Sequence, residues 1–265
     1  MDTDAAGSSA GGDAELDKLA DDLSRARAAE LRKDPERLAE LRHGARLTAI
    51  IGVVFALLFA LGLALLFSIP HENASKEELI AFYQSDDARL VLMGGLYVLP
   101  FAAVAFLWFI ASLRSWIRFR ADRLSGIYST VQLLSGAAFI TLMLAGAGAI
   151  SVIPLSRDLA GVDLDVESKR HFAVLARVLL MIFSMRMAAI MVMTTSTIGA
   201  QAELFPKWFR LLSAVVAAAL FLAASFSGWL VALFPAWVIV LCALILFGSR
   251  RLWQATGPDR HDDAP

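Results

Sequence analysis

The chain has 265 residues, of which 58% are hydrophobic and 18% charged, with a formal net charge of −1 at pH 7. A soluble domain carries about 25% charged and about 45–50% apolar residues, because its surface must remain largely polar. This composition excludes a soluble globular protein, and the balanced charge excludes the strongly basic composition of nucleic-acid-binding domains. The sequence predicts an all-α, polytopic transmembrane helical bundle.

The N-terminal region precedes the first apolar segment. Residues 1–12 are rich in Ala, Gly and Ser and predict a disordered tail, and residues 13–45 predict a charged cytoplasmic helix. Asp34 and Pro35 suit an N-cap and a first helical position, so the helix should break and restart there. Its apolar residues fall on one stripe, which makes it amphipathic: Leu16, Leu19, Leu23 and Ala26. It could mediate homo-oligomerisation or bind a partner protein, or it could be a solvated helix with a weak stripe.

The sequence predicts a transmembrane domain of six spans at residues 46–253 and a disordered C-terminal tail at residues 254–265. Pro70 and Pro154 should close the first and third spans, and a turn within Ser227–Phe234 should separate the last two. The last apolar stretch exceeds the about 20 residues that one crossing needs. The apolar segments are Leu47–Ile69, Leu90–Leu113, Gly126–Ile153, Phe172–Gly199 and the shared stretch Leu211–Phe247.

Basic residues lie at alternate ends of these spans, and their positions predict the orientation. The loops at the other ends, around residues 71–89 and 157–170, are acidic or mixed. The positive-inside rule then places both termini in the cytoplasm of a plasma-membrane protein. The basic residues that set this orientation are Arg42, Arg46, Arg114, Arg118, Arg120, Arg123, Lys207, Arg210, Arg250 and Arg251.

A local motif stands in the first outer loop. Ser75 is followed three residues later by Glu78 and then by apolar residues from Leu79 onward. This is the pattern of a capping box, in which the N-cap hydroxyl and the N3 carboxylate each accept a backbone N–H. It predicts a short helix that lies on the outer membrane surface.

Catalytic motifs are absent from the sequence. The six spans hold none of the chain's 25 acidic residues, and coupled carriers commonly use such buried carboxylates. The sequence has no phosphate-binding Gly loop and no HExxH, CxxC or GxSxG pattern. We therefore expect neither an enzyme nor a resident cofactor or metal.

Methionines are concentrated in the fourth span, which holds five of the chain's eight. Thioethers are soft ligands suited to Cu(I), and pairs spaced four residues apart lie on one helical face. The alternative is packing, because Met fills irregular gaps in apolar interiors. The residues are Met181, Met185, Met187, Met191 and Met193.

The first span carries small residues at every fourth position: Gly52, Ala56, Ala60 and Ala64. Helices in lipid associate by close van der Waals contact, and small residues allow their backbones to approach. We expect this ridge to contact another helix, within the bundle or across a dimer.

Arg186 is the strongest candidate for a functional residue. It lies about 13 residues from each end of the fourth span, hence near mid-membrane. A charge there costs at least about 2.5–3.5 kcal/mol on insertion scales, so the guanidinium is expected to face the bundle interior or a water-filled cavity. Tyr97 and Ser135 lie at nearby depths in the second and third spans and could supply oxygens. The three residues form a candidate anion or lipid site, or a network that only locks the helices together.

Several segments resemble one known family. The sequence from Tyr97 to Ile110 is similar to the second span of a family of bacterial multi-span membrane proteins that has no assigned activity. Four further segments carry the same resemblance: Met185–Ala189, Thr195–Thr197, Phe205–Trp208 and Phe234–Val238. The resemblance covers roughly residues 45–250 and implies the six-helix fold. It implies no catalytic or binding residue.

Three functions remain open from the sequence. The first is a non-enzymatic bundle that binds a membrane lipid, a small anion or a partner protein. The second is a small oligomeric transporter or channel, which requires a polar pathway between the two faces. The third is a copper- or redox-handling protein that uses the methionines.

Overall fold

The computed structural model describes residues 35–69, 74–85, 88, 94–120, 126–202, 204–223 and 228–256, and every regular element among them is helical. The all-α prediction is therefore confirmed for this part of the chain. The predicted tail at 1–12 and the predicted helix before residue 35 lie outside the described residues. The helices are α1 (Pro35–Phe67), α2 (Lys76–Gln84), α3 (Leu99–Arg120), α4 (Gly126–Ala160), α5 (Val166–Arg177), α6 (Ser184–Gln201), α7 (Lys207–Ala218) and α8 (Leu233–Thr256).

Three π-helical segments and one 3-10 segment extend these helices. Gly94–Val98 leads into α3, Val178–Phe183 joins α5 to α6, and Ala219–Ala223 continues α7. The 3-10 segment, Gly228–Ala232, leads into α8. Each π-helical segment widens its helix locally and rotates the residues on either side relative to each other.

Five helices are long and apolar enough to cross a membrane, which confirms the membrane character of the bundle at this level. Segment Lys207–Ala223, where the fifth of the six crossings was predicted, is shorter than these five. The six-span count therefore remains a prediction. The five candidate spans are His43–Phe67, Gly94–Arg118, Gly126–Arg157, Val166–Gln201 and Gly228–Gly248.

Some helix bounds differ from the sequence-based expectation. Pro154 lies inside α4, which continues to Ala160, rather than closing the helix. A proline is tolerated within a membrane helix because neighbouring groups can satisfy the carbonyl that it frees. Residues 228–234 of the predicted turn are helical, and residue 227 lies outside the described residues. Helix α1 is continuous across residue 46, and α8 runs two residues past 254 to Thr256.

Six helical segments contact one another in a closed ring: α1, α3, α4, α5 with α6, α7, and α8. Helix α1 contacts α3, α3 contacts α4, α4 contacts α5 and α6, α6 contacts α7, and α8 contacts both α7 and α1. Helix α1 runs antiparallel to α8, because Gly52 packs against Cys242 and Phe67 packs against Gly228. We call the end where α1 begins and α8 ends the basic end, and the end near α2 the opposite end.

The centre of the ring is filled by an aromatic cluster, defined by Phe55, Phe59, Phe106, Phe139 and Phe234. All five side chains are fully buried. Ring centroids lie 4.6 Å apart for Phe55–Phe106 and 5.1 Å apart for Phe139–Phe234, which is the range of favourable aromatic packing. The five rings come from four different helices: those of α1, α3 and α4 lie near the middle of their candidate spans, and Phe234, the second residue of α8, packs against them. The cluster therefore marks the mid-height of the bundle.

Helix α2 begins as the sequence predicts, which confirms the capping box. Glu78 N–H donates to the Ser75 hydroxyl at 3.2 Å, and Ser75 N–H donates to Glu78 Oε2 at 3.0 Å. The segment before α2 is fixed to α5, because Arg170 Nη2 donates to the Ala74 carbonyl at 2.9 Å.

Candidate functional site

Arg186 lies on the outward face of α6. Phe183, the last residue of the π-helical segment before α6, continues this face; Phe183 and Met193 are 46% and 58% exposed, and Arg186, Ile190 and Thr197 are half-buried. Residues 184–185, 188–189, 191–192 and 194–196 are buried and form the inward face. We call the five outward residues Phe183, Arg186, Ile190, Met193 and Thr197 the α6 seam, because intervals of three and four residues keep them on one face.

The height of Arg186 follows from its helix contacts. Arg186 lies between two contacts of its helix with α4. At one, Leu180 packs against Gly146, and at the other, Thr195 accepts a hydrogen bond from Gln132. Phe139, a member of the aromatic cluster, lies between the same two contacts on α4. The predicted mid-span position of Arg186 thus agrees with the packing.

The guanidinium of Arg186 lies over an aromatic ring. Its Cζ is 5.8 Å from the ring centroid of Phe183, a cation–π contact with a residue of the same outward face. Among the residues that the structure describes, no hydrogen bond or ion pair is made by Arg186. The charge therefore has a weak stabilising contact and no hydrogen-bond acceptor.

Tyr97 and Ser135 are not brought together with Arg186. Tyr97 is 53% exposed on the segment before α3, and Ser135 is buried in α4, where its hydroxyl donates to the Gln132 carbonyl at 3.1 Å. Neither side chain makes a hydrogen bond to Arg186. Anion or lipid binding at Arg186 remains a prediction, and it gains no support from these two oxygens.

The small-residue ridge of α1 divides between two faces. Gly52 and Ala56 are buried, whereas Ala60 and Ala64 are exposed. Positions four apart drift by about 40° around a helix of 3.6 residues per turn, so four of them cover about 120°. The Gly52 end makes the expected close contact, since a Cβ built there would lie 2.4 Å from Cys242 Sγ.

A groove of about 430 Å³ lies between α3 and α4 toward the opposite end. It borders the π-helical segment Gly94–Val98, and small residues leave the space that it occupies. Its lining is mostly apolar and comprises Gly95, Leu96, Pro100, Leu144, Ala147, Gly148, Ser151, Val152, Leu155 and Ser156.

Two buried polar contacts between helices were missed by the sequence reasoning. Gln132 Nε2 donates to Thr195 Oγ1 at 2.8 Å, which joins α4 to α6. Trp237 Nε1 donates to Ser213 Oγ at 2.9 Å, which joins α8 to α7. Gln132 could have been singled out as an amide inside an apolar run, because such side chains bond across membrane helices.

A cationic cluster lies around Tyr83, where α2 meets α5, and consists of Lys169, Arg170 and Arg177. Lys169 binds Asp163 at 2.9 Å, and its Nζ is 5.5 Å from the ring centroid of Tyr83. The bond from Lys169 lowers the pKa of Asp163 below its ordinary value. Burial raises the pKa of Tyr83, although the charges of Arg170 and Arg177 act in the opposite direction. The Tyr83 hydroxyl and Arg170 Nε are buried and have no hydrogen-bond partner among the described residues.

The methionines of the fourth span do not share one environment. Met181, Met185 and Met191 are buried, Met187 is half-buried and Met193 is exposed. Within the described ranges, the structure has no group of three His, Cys, Asp or Glu side chains that could hold a metal ion. Three of the five methionines thus lie in the core, as packing residues do.

Comparison with known proteins gives no relative: no family model, no curated protein and no solved structure matches this chain. The resemblance to a bacterial multi-span family therefore remains a prediction.

Proposed function

We propose that this chain is a six-crossing integral protein of the plasma membrane that binds an acyl chain of a membrane phospholipid in the groove between α3 and α4. It acts by binding and carries out no reaction. The observation that carries the proposal is the groove itself, which is large, mostly apolar and open at the side of a membrane-type bundle.

The polar atoms of the groove favour hydrocarbon over a polar ligand. Ser151 and Ser156 are the two residues in its lining with a polar side chain. Their hydroxyl protons are already donated within α4, to Ala147 O at 2.7 Å and to Ile153 O at 3.0 Å. Specific small-molecule sites hold a few polar groups that orient the ligand. With both hydroxyls engaged, the groove offers chiefly apolar surface.

The position of the groove favours an occupant that arrives from the bilayer. Large apolar side chains beside it are exposed in the isolated chain, with Phe101 64% and Leu144 41% exposed. In a membrane these residues face the acyl chains, so a lipid can enter sideways without crossing water.

The aromatic cluster favours binding over conduction. A transporter or channel requires a water-accessible path between the two faces, and here five phenyl rings fill the centre of the ring of helices. A pathway through the bundle would have to displace these rings.

Segment Lys207–Ala223 is proposed as the fifth crossing, in the sequence-predicted orientation with both termini in the cytoplasm. The segment packs between α6 and α8, and Lys207 and Arg210 lie at its basic end. An odd number of crossings would place the two ends of the described chain on opposite sides.

Cysteine labelling tests this topology. Cysteines introduced at Ser85 and Asp163 should react with a membrane-impermeant maleimide on intact cells, and one at Gln254 only after permeabilisation. Labelling of both Ser85→Cys and Gln254→Cys on intact cells would show an odd number of crossings and refute the six-span arrangement.

A groove-filling variant tests lipid binding. A Cβ at Gly148 meets no atom within 4 Å, so Gly148→Leu should fill the groove without a clash. Ala145→Leu is the matched control, because Ala145 is exposed on the same helix and does not line the groove.

The readout is native mass spectrometry of delipidated protein after incubation with phosphatidylglycerol. Wild type and Ala145→Leu should retain one more lipid per chain than Gly148→Leu retains. Equal retention by all three proteins would contradict the proposal.

A further inference from the structure

The α6 seam has the residue spacing of a helix–helix contact although no described helix covers it. Its residues follow one another at intervals of 3, 4, 3 and 4, from Phe183 to Thr197. This is the spacing at which one helix presents a continuous row of side chains to another, in water and in membranes alike. The exposure of Phe183 and Met193 shows that the row remains uncovered.

A charge lies within this seam at mid-membrane height. Arg186 is level with the aromatic cluster, which lies about 15 Å from either headgroup layer if the hydrocarbon core is about 30 Å thick. An Arg side chain is too short to span that distance by snorkelling. A charge at that depth is costly unless a counter-charge covers it.

The part of the chain that the structure describes offers no carboxylate at this height. Within the five candidate spans, Glu167 is the one acidic residue, and it precedes Arg186 by 19 residues, about 28 Å along the helix. A second copy of the chain would therefore present more apolar surface, or a second Arg186, to the seam. The counter-charge has to come from a different molecule.

We propose that the α6 seam is the docking surface for a transmembrane helix of another protein that carries an Asp or Glu at mid-span. The helix packs along Phe183, Ile190, Met193 and Thr197, and its carboxylate accepts hydrogen bonds from the Arg186 guanidinium. Arg is suited to this role because its planar group can donate two parallel bonds to one carboxylate. The interaction is independent of the lipid groove, which lies between α3 and α4.

The test uses a synthetic leucine-rich transmembrane helix with a single central Glu as the probe. The full-length protein and the probe are labelled for energy transfer and reconstituted in phosphatidylcholine vesicles at pH 7. Probes with Gln or Leu in place of Glu are the controls. The Glu probe should bind wild type at least about tenfold more tightly than the Leu probe, whereas Arg186→Leu should bind both within about twofold.

A shifted charge tests the register of the contact. Met193 lies on the same seam, two turns or about 10.5 Å from Arg186. The variant Arg186→Leu/Met193→Arg should lose its preference for the central-Glu probe and gain one for a probe with Glu displaced by two turns. Thermal unfolding of Arg186→Leu in detergent should match wild type, since the change removes an unpaired charge from an outward face.

Three results would overturn the proposal. The first is equal affinity of wild type for the Glu, Gln and Leu probes. The second is self-association that depends on Arg186 and is not competed by the Glu probe, which would assign the seam to a second copy. The third is a phospholipid that native mass spectrometry finds on wild type but not on Arg186→Leu, and that the Glu probe does not displace.

Discussion

Replacement of Gly52 by alanine should destabilise the bundle by overpacking. A Cβ at this position would lie 2.4 Å from Cys242 Sγ and 2.7 Å from Phe109 Cε2. Carbon atoms in ordinary contact are about 3.5–4.0 Å apart, so the Cys242 and Phe109 side chains must shift, or the helices that carry them must move away from α1, by about 1 Å. Overpacking of this kind typically costs about 1–3 kcal/mol.

A second effect of the substitution has the opposite sign. Alanine is favoured over glycine inside a helix by about 0.8–1.0 kcal/mol. The control Gly148→Ala isolates this gain, because a Cβ at Gly148 meets no atom within 4 Å. The free energy of unfolding should therefore be about 1–3 kcal/mol lower for Gly52→Ala than for Gly148→Ala. Reversible unfolding in mixed detergent micelles, followed by circular dichroism, measures both variants.

Removal of the opposing sulfur should relieve the clash. In the Cys242→Ala background, Gly52→Ala should cost at least about 0.5 kcal/mol less than it does in wild type, which is the size of coupling expected for residues in contact. Equal free energies of unfolding for Gly52→Ala and Gly148→Ala, together with additivity in the double variant, would refute the close approach of these helices.

Four further substitutions test other contacts by the same unfolding measurement. Ala56→Leu, on the buried part of the α1 ridge, should lower the free energy of unfolding by about 1–3 kcal/mol. Ala60→Leu, on the exposed part, should change it by less than about 0.5 kcal/mol. Similar values for the two variants would contradict the finding that the ridge is buried at one end and exposed at the other. Ser213→Ala leaves the buried indole N–H of Trp237 without its acceptor and should cost about 1–3 kcal/mol, so an unchanged value would argue against that bond. Tyr83→Phe should not lower stability at pH 7, because it removes a buried hydroxyl without a partner. Burial raises the pKa of Tyr83 above 10.0, so the free energy of unfolding of wild type should fall as the pH rises from 10.0 through the folded-state pKa, and this fall should be absent in Tyr83→Phe. Tyrosinate absorbance should show a late-titrating group that Tyr83→Phe lacks.

Features that depend on neighbours in the sequence were predictable. The capping box of α2 requires only Ser75, Glu78 and the backbone between them, so four residues contain all the necessary information. The height of Arg186 along its helix is similarly local, because it follows from counting residues to each end of an apolar run.

Features that depend on which face of a helix contacts which neighbouring helix could not be predicted from the sequence. The spacing of the α1 ridge fixes a row of small residues, but only packing decides that Ala56 lies inside and Ala60 outside. The cost of a buried charge suggested that Arg186 faces the interior, yet the π-helical segment before α6 and the contacts with α4 set its direction. The partner of Gln132 lies 63 residues away at Thr195, and a single sequence carries no signal for such a pairing.

The π-helical segments have a consequence for how the length of this chain can change. Each closes its hydrogen bonds over one more residue than an α-helix does, so each holds what amounts to a one-residue insertion. Deletion of one residue there would restore α-helical bonding and leave the helix unbroken. Gly94–Val98, Val178–Phe183 and Ala219–Ala223 are therefore the places where a membrane helix of this chain can gain or lose a residue without being interrupted. An alignment with homologous chains should place its gaps within the spans at these positions, as well as in the loops.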